Sequence, residues 1–270
     1  MSHFLPAVIM ILAAGAAVSP AFGAELAPTG TLRATFIATN PVQAKADPKT
    51  GDVTGPAADL ARELGRRLGV PVKITPANGV GGVLESVKRG EADIGFLAYD
   101  PGRAKDVDYS QTYALAQNTY LVLAGSPLRS TAEIDRKGTR IGVTEGDSAD
   151  LVLARTLKNA EIKRNKGGDM DVALKMLSSR EIDAYGTNRQ RLYELASQNP
   201  GLRMLPDNFY GVEQSIIVQK GNAALLDVVQ RFLDEARTSG LIAQAITRSG
   251  IVGLDVAPPR AEQVRAKPAD

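Results

Sequence analysis

The 270-residue chain has no cysteine and no tryptophan, and its single histidine, His3, stands at the extreme N-terminus. Without thiols there is no disulfide framework, no thiolate metal site and no cysteine nucleophile, so the core must hold by packing alone. A hydrolase built on a Ser-His pair has no support either, since no Gly-x-Ser-x-Gly elbow is present and His3 is remote from the rest of the chain. No catalytic residue, metal ligand or cofactor site is therefore assigned. Aromatic residues make up only 5% of the chain, which argues against an extended stacking platform for sugars. Charge of one sign is also lacking: 32 Lys and Arg face 30 Asp and Glu. That balance offers no electrostatic case for binding nucleic acid or an anionic membrane.

One apolar run stands out, Phe4 to Val18, and it is too short to span a bilayer comfortably. Small residues follow at Ala21-Phe22-Gly23-Ala24, so residues 1–24 read as an export signal, although no Lys or Arg precedes the run. The expected compartment is the periplasm.

Beyond residue 24 the chain alternates strand-like and helix-like segments. Thr31 to Ala38 alternates apolar and polar residues and reads as a first strand, ending at Asn40-Pro41. Asp47 to Asp52 is turn chemistry for a surface hairpin. Leu60, Ala61, Leu64 and Leu68 share one helical face, and Gly69 ends that helix. Val72–Thr75 reads as a strand, Val80–Arg89 as a helix and Ile94–Ala98 as a buried strand. The rhythm restarts after Gly125-Ser126-Pro127, with strands at Arg140–Thr144, Glu161–Arg164 and Ile182–Gly186 and helices at Ser148–Leu157, Met170–Ser178 and Arg191–Ser197. Two α/β units with mostly parallel sheets follow from this order. Glu213–Gln219 then reads as a strand returning to the first unit, and Leu225–Ser239 as a long amphipathic helix. The first unit thus comprises residues 25–123 and 215–256, the second 124–214, and 257–270 reads as a disordered tail. Crossings are expected near Val122–Pro127 and Asn208–Ser215.

The most informative stretch is Lys88 to Tyr113. A helix end, the strand Ile94–Ala98 and a Pro/Gly turn place one guanidinium, Arg103, just past a strand's carboxyl end. Ligands of open α/β sheets bind at that edge, and Arg suits a carboxylate because it donates two parallel hydrogen bonds. Here Gly90-Glu91-Ala92-Asp93, Asp100-Pro101-Gly102-Arg103 and Val107-Asp108-Tyr109-Ser110-Gln111-Thr112-Tyr113 follow one another. This order resembles the family 3 extracellular solute-binding proteins of ABC importers, whose pattern runs Gly-x-x-Asp, Thr-Pro-Glu-Arg, Val-Asp-Phe-Ser-x-Pro-Tyr. The resemblance extends from about Thr31 to Gly250, through Gly55-Pro56-Ala57-Ala58-Asp59-Leu60 and Gly142-Val143-Thr144-Glu145-Gly146-Asp147-Ser148. It implies the type II periplasmic binding protein fold, two lobes joined by a two-strand hinge that close over a solute.

The resemblance also implies site residues. Arg103 would hold the ligand carboxylate, against the simpler reading of a surface arginine paired with Asp106 or Asp108. Gly146, Asp147 and Ser148 occupy the place of the family's anion-holding loop, with Asp147 where a hydroxyl residue is usual; the simpler reading makes Asp147 or Ser148 a helix cap. Asn188 stands where amino acid binders carry the Asp that neutralises an α-ammonium, so that salt bridge needs Asp100 or Asp147 instead. The simpler reading of Asp100 is a turn former before Pro101. Phe36, Asn40 and Tyr99 border the same edge, though core packing is the more frequent fate of a strand Phe. The implied function is capture of a small carboxylate solute, an amino acid or related organic acid, for an ABC permease, by a protein that is commonly monomeric. A cyclohexadienyl dehydratase on the same scaffold, which needs a general acid in the cleft with Glu145 as sole candidate, and a solute sensor are the alternatives.

Overall fold

The computed structural model describes residues 26–166 and 169–259. The export signal expected at 1–24 and the expected tail from 260 onward lie outside the described residues. The first half begins with β1 (Leu32–Ile37), a short hairpin of β2 (Lys45–Ala46) and β3 (Val53–Thr54), and α1 (Pro56–Leu68). Then follow β4 (Val72–Ala77), α2 (Gly79–Lys88) and β5 (Ile94–Ala98). Helix α1 forms because Leu60, Ala61, Leu64 and Leu68 fall on one buried face, and Gly69 stops it at φ +69°, where only glycine sits without strain. Strands β4, β1 and β5 are neighbours and parallel.

A 17-residue strand, β6 (Val107–Leu123), carries the chain into the second half. There β7 (Arg140–Thr144), α3 (Ser148–Thr156), β8 (Glu161–Asn165), α4 (Met170–Ser178), β9 (Ala184–Asn188) and α5 (Arg189–Gln198) repeat the pattern, with β8, β7 and β9 parallel. After β10 (Leu202–Met204), β11 (Tyr210–Gln219) returns and inserts antiparallel between β5 and β6. The helices α6 (Ala223–Thr238) and α7 (Leu241–Ser249) and the strand β12 (Leu254–Val256) complete the first half.

The strands of both halves form one continuous sheet, ordered β4-β1-β5-β11-β6-β9-β7-β8, and helices cover both of its faces, as buried parallel strands require. In the first half Phe36, Phe96, Tyr113 and Ile216 pack toward α1 and α6, while Leu97, Tyr109 and Ile217 pack toward Val83 and Val87 of α2. In the second half Ile141, Val143 and Leu153 form one cluster, and Tyr185, Leu177 and Leu192 another.

The halves share a construction detail. Asp93, at the start of β5, accepts from Arg33 N (2.8 Å), Nε (3.1 Å) and Nη2 (2.5 Å). Asp183, at the start of β9, accepts from Arg140 N (2.8 Å), Nε (3.1 Å) and Nη2 (2.9 Å). The turns before them also match. The Glu91 and Ala92 N–H groups bond Ser86 O, and those of Glu181 and Ile182 bond Met176 O. Both turns need a left-handed residue, which is Gly90 (φ +67°) in one and Arg180 (φ +58°) in the other.

The expected strands and helices are present, and three features differ from expectation. The first crossing lies earlier than Val122–Pro127: β6 pairs with β11 as far as Asn118 and with β9 from Asn118 to Leu121, so the strand itself spans the halves. A further helix, α7, and the strand β12 follow α6, with β12 paired to Ala114, Leu115 and Ala116. Residue Ala257 is not tail: it is buried, and its N–H bonds Tyr113 O while Arg237 Nε bonds its carbonyl. No described helix is long and apolar enough to cross a membrane.

Candidate functional site

The carboxyl ends of β1 and β5 and those of β7 and β9 supply the residues with site chemistry, and β6 and β11 run between the two sets. On the first half, Asp100 opens a single 3-10 turn, Pro101–Arg103, and its Oδ1 accepts the Arg103 N–H at 3.2 Å. The turn-forming reading of Asp100 is therefore realised, and the turn is what aims Arg103. Asp100 Oδ2 lies 4.0 Å from Arg103 Nη2, with both side chains partly exposed. Such a loose pair is exchangeable for a ligand carboxylate at little cost. Arg103 pairs with Asp100 rather than with Asp106 or Asp108, the latter being held by Lys220 Nζ at 2.6 Å. Tyr99 stacks edge-on against Tyr109, ring centres 5.2 Å apart, beside this turn.

Asn40 turns the chain after β1, its Oδ1 accepting from Val42 N at 3.2 Å. Phe36 does not line this edge. It is 0% exposed and sits in the core against α1 and α6, as the strand's inward face requires.

On the second half, Asp147 caps α3, its Oδ1 accepting from Asp150 N at 2.9 Å. Its Oδ2 accepts from Thr187 Oγ1 at 3.3 Å, which turns this oxygen toward the end of β9. Burial pushes the Asp147 carboxyl above its ordinary value, outweighing the hydrogen bonds that favour its ion. Ser148 begins α3 beside it, partly buried. Gly146, left-handed at φ +74°, gives its N–H to Asp150 Oδ2 at 2.9 Å. Asp150 is itself paired with Arg164, 2.9 Å from Nη2. The loop's donor is thus engaged by the protein's own carboxylate, which weakens the anion-holding expectation for Gly146. Asn188 spends its Oδ1 on capping α5, accepting from Gln190 N at 3.0 Å.

The structure therefore groups these residues in two places: Arg103, Asp100 and Tyr99 follow β5, and Gly146, Asp147, Ser148 and Asn188 lie at the ends of β7 and β9. Strand register supplies polar groups between them that sequence reasoning did not name. Thr112 Oγ1 donates to Glu213 Oε2 at 2.7 Å across β6 and β11, and Glu213 O accepts the Tyr99 N–H at 2.8 Å. Glu213 lies near Tyr210, whose hydroxyl is shifted upward by burial with the Glu213 charge adding to it. Cross-strand pairing of this kind carries no short sequence signal. Among the described residues, no group of three His, Cys, Asp or Glu is placed to hold a metal ion.

Two α/β halves, with ligand edges at the ends of their parallel strands and two strands passing between, define the two-lobed type II periplasmic binding protein fold. Comparison with known proteins makes this specific. The family model for bacterial extracellular solute-binding proteins, family 3, matches residues 34–249, and the chain belongs to that family. It is 22% identical over 198 residues to the ABC transporter glutamine-binding protein GlnH of Bacillus subtilis, covering 72% of this chain and 71% of that one. It is 26% identical to a glutamine-binding protein of Geobacillus stearothermophilus, covering 62% of this chain and 65% of that one. Among solved structures, an ancestral cationic amino acid solute-binding protein superposes with a TM-score of 0.65 at 24% identity, covering 84% and 98% of the two chains. An ancestral arginine-binding protein bound to arginine does so at 0.61 and 27%, covering 81% and 97%. The protein is thus a family 3 extracellular solute-binding protein.

Proposed function

We propose that the protein captures a small α-amino acid between its halves and presents it to an ABC permease from the periplasm, working as a monomer. What supports this reading is a loosely held guanidinium, Arg103, at the end of β5 in one half and a carboxylate raised by burial, Asp147, after β7 in the other. Arg103 would take the ligand carboxylate in a bidentate contact. Asp147, whose Oδ2 accepts a long bond from Thr187, would take the ammonium in place of Asn188, whose amide oxygen is engaged in capping. Bringing a cation to a desolvated carboxylate offsets the cost of its burial, so binding and closure reinforce one another. The lobes would be residues 26–118 with 215–257, and 119–214. The matched relatives whose names state a role are binding proteins, and no acid stands at Asn188 for the dehydratase alternative.

Thermal-shift and calorimetric titration with α-amino acids, matched carboxylates lacking the amine, and matched amines lacking the carboxylate test the proposal. Binding that requires both groups is expected. Arg103→Ala should weaken it by about 2–5 kcal/mol while leaving the unliganded melting temperature within a degree or two. Equal binding of an α-amino acid to wild type and to Asp147→Asn would remove Asp147 from the site.

A further inference from the structure

Two buried hydroxyls have no hydrogen-bond partner among the described residues, Ser215 Oγ and Tyr109 Oη. Ser215 lies at the register shift in β11, enclosed in the sheet. Tyr109 differs, because its oxygen faces the Arg103 guanidinium, which can donate to it, and feels the charge of Asp100. The residue is 8% exposed, its ring fixed by Leu97, Ile217 and the edge-on contact with Tyr99. A buried hydroxyl without a partner is costly, and phenylalanine would fill the same space without that cost.

The donor and acceptor inventory narrows what the hydroxyl can do. A guanidinium offers only donors, so Arg103 can satisfy the phenol oxygen but never its proton. That proton needs an acceptor on the same edge. One Asp100 oxygen already takes the Arg103 backbone N–H, and the other faces the Arg103 guanidinium. An incoming carboxylate gripped by Arg103 would bring a fresh acceptor to this place. Burial keeps the phenol protonated far above neutral pH, so the proton is available to donate.

We infer that Tyr109 is a specificity-determining residue, its hydroxyl donating to the ligand carboxylate held by Arg103 and orienting that guanidinium in return. The inference rests on the carboxylate reading of the site. Its mark on specificity is a preference for a carboxylate over an isosteric amide, since the charged acceptor strengthens the phenol's hydrogen bond and the amide nitrogen cannot accept one.

The test is Tyr109→Phe, which removes one oxygen and keeps the ring. Unliganded protein should melt at the same or a higher temperature than wild type, because an unsatisfied hydroxyl is gone. Calorimetric affinity for an α-amino acid should fall about 10- to 100-fold, the range of a hydrogen bond to a charged group. Affinity for the matching α-amino amide should change little, so the ratio between the two ligands collapses. An unchanged amino acid affinity in a folded Tyr109→Phe protein would overturn the inference, as would an equal loss for acid and amide. If wild type binds no carboxylate while Arg103→Ala is folded, the reading of the site fails instead, and the two failures are told apart by the wild-type titration alone.

Discussion

Asp147 caps a helix and, in the proposed function, also receives the ligand ammonium, and its protonation links the two demands. Burial raises its folded-state pKa above the ordinary value, so the neutral form is favoured more in the folded than in the unfolded chain. That contribution is fully present below the unfolded value of about 3.9 and is lost as pH rises through the folded one. At neutral pH the unliganded protein therefore carries a carboxylate that costs stability. Asp147→Asn keeps an oxygen for the Asp150 N–H and should melt at or above the wild-type temperature at pH 7, with the difference vanishing near pH 3. Loss of amino acid binding should accompany it, followed by titration. Arg180 is a second residue working against its backbone. Left-handed geometry costs a side-chain-bearing residue about 1 kcal/mol, and the equivalent turn in the first half uses Gly90. Arg180→Gly should accordingly raise unfolding stability by up to about 1 kcal/mol in urea titration, offset in part by the freer unfolded chain.

At the scale of elements, the two Arg–Asp clasps hold the first parallel strand of each half to the last. They are alike in bonding and unlike in exposure: the Asp93 side chain is 6% exposed and that of Asp183 is 35% exposed. Removing Asp93 strands a guanidinium and a strand N–H in a dry place, whereas water can replace Asp183. We expect Asp93→Ala to cost about 3 kcal/mol and Asp183→Ala about 1 kcal/mol in denaturant unfolding. For Asp183, burial raises the carboxyl but the Arg140 bonds outweigh it, leaving the value lowered. Its contribution is thus present above the ordinary aspartate value and lost as pH falls through the folded one. These elements were legible in the sequence because their apolar spacing, glycine stops and strand-end turns are local. The Lys88–Tyr113 stretch disclosed β5, the turn and Arg103 for that reason. Helix α7 carries the same signal over nine residues, Leu241, Ile242, Ala245 and Ile246 between Gly240 and Gly250. What stayed hidden depends on register: the Thr112–Glu213 bond, the Tyr109–Arg103 juxtaposition, the engagement of Gly146 by Asp150 and the burial of Phe36. A period-2 pattern says that successive residues face opposite ways, not which face meets the core.

At the scale of the molecule, two strands cross between the halves and a third segment makes contact across them. Besides β6 and β11, the segment before β12 touches the second half, where Val252 N donates to Gln190 Oε1 at 2.6 Å and Gly253 lies against the Arg189 side chain. Closure over a ligand must bend β6 and β11 and preserve or release this third contact. Small-angle scattering should record a smaller radius of gyration with a saturating amino acid than without it, and no change for Arg103→Ala under the same conditions.

The position of β11 has a consequence for how the chain is made. It occupies the middle of the first half's sheet, between β5 and β6, yet it is one of the last strands to emerge during synthesis. The second half is continuous in sequence, and its parallel strands, with β6 and β10, are complete before β11 exists. Vectorial synthesis therefore reverses the order suggested by numbering. The later segment can settle first, and the earlier one waits with an open slot until residue 219 has arrived.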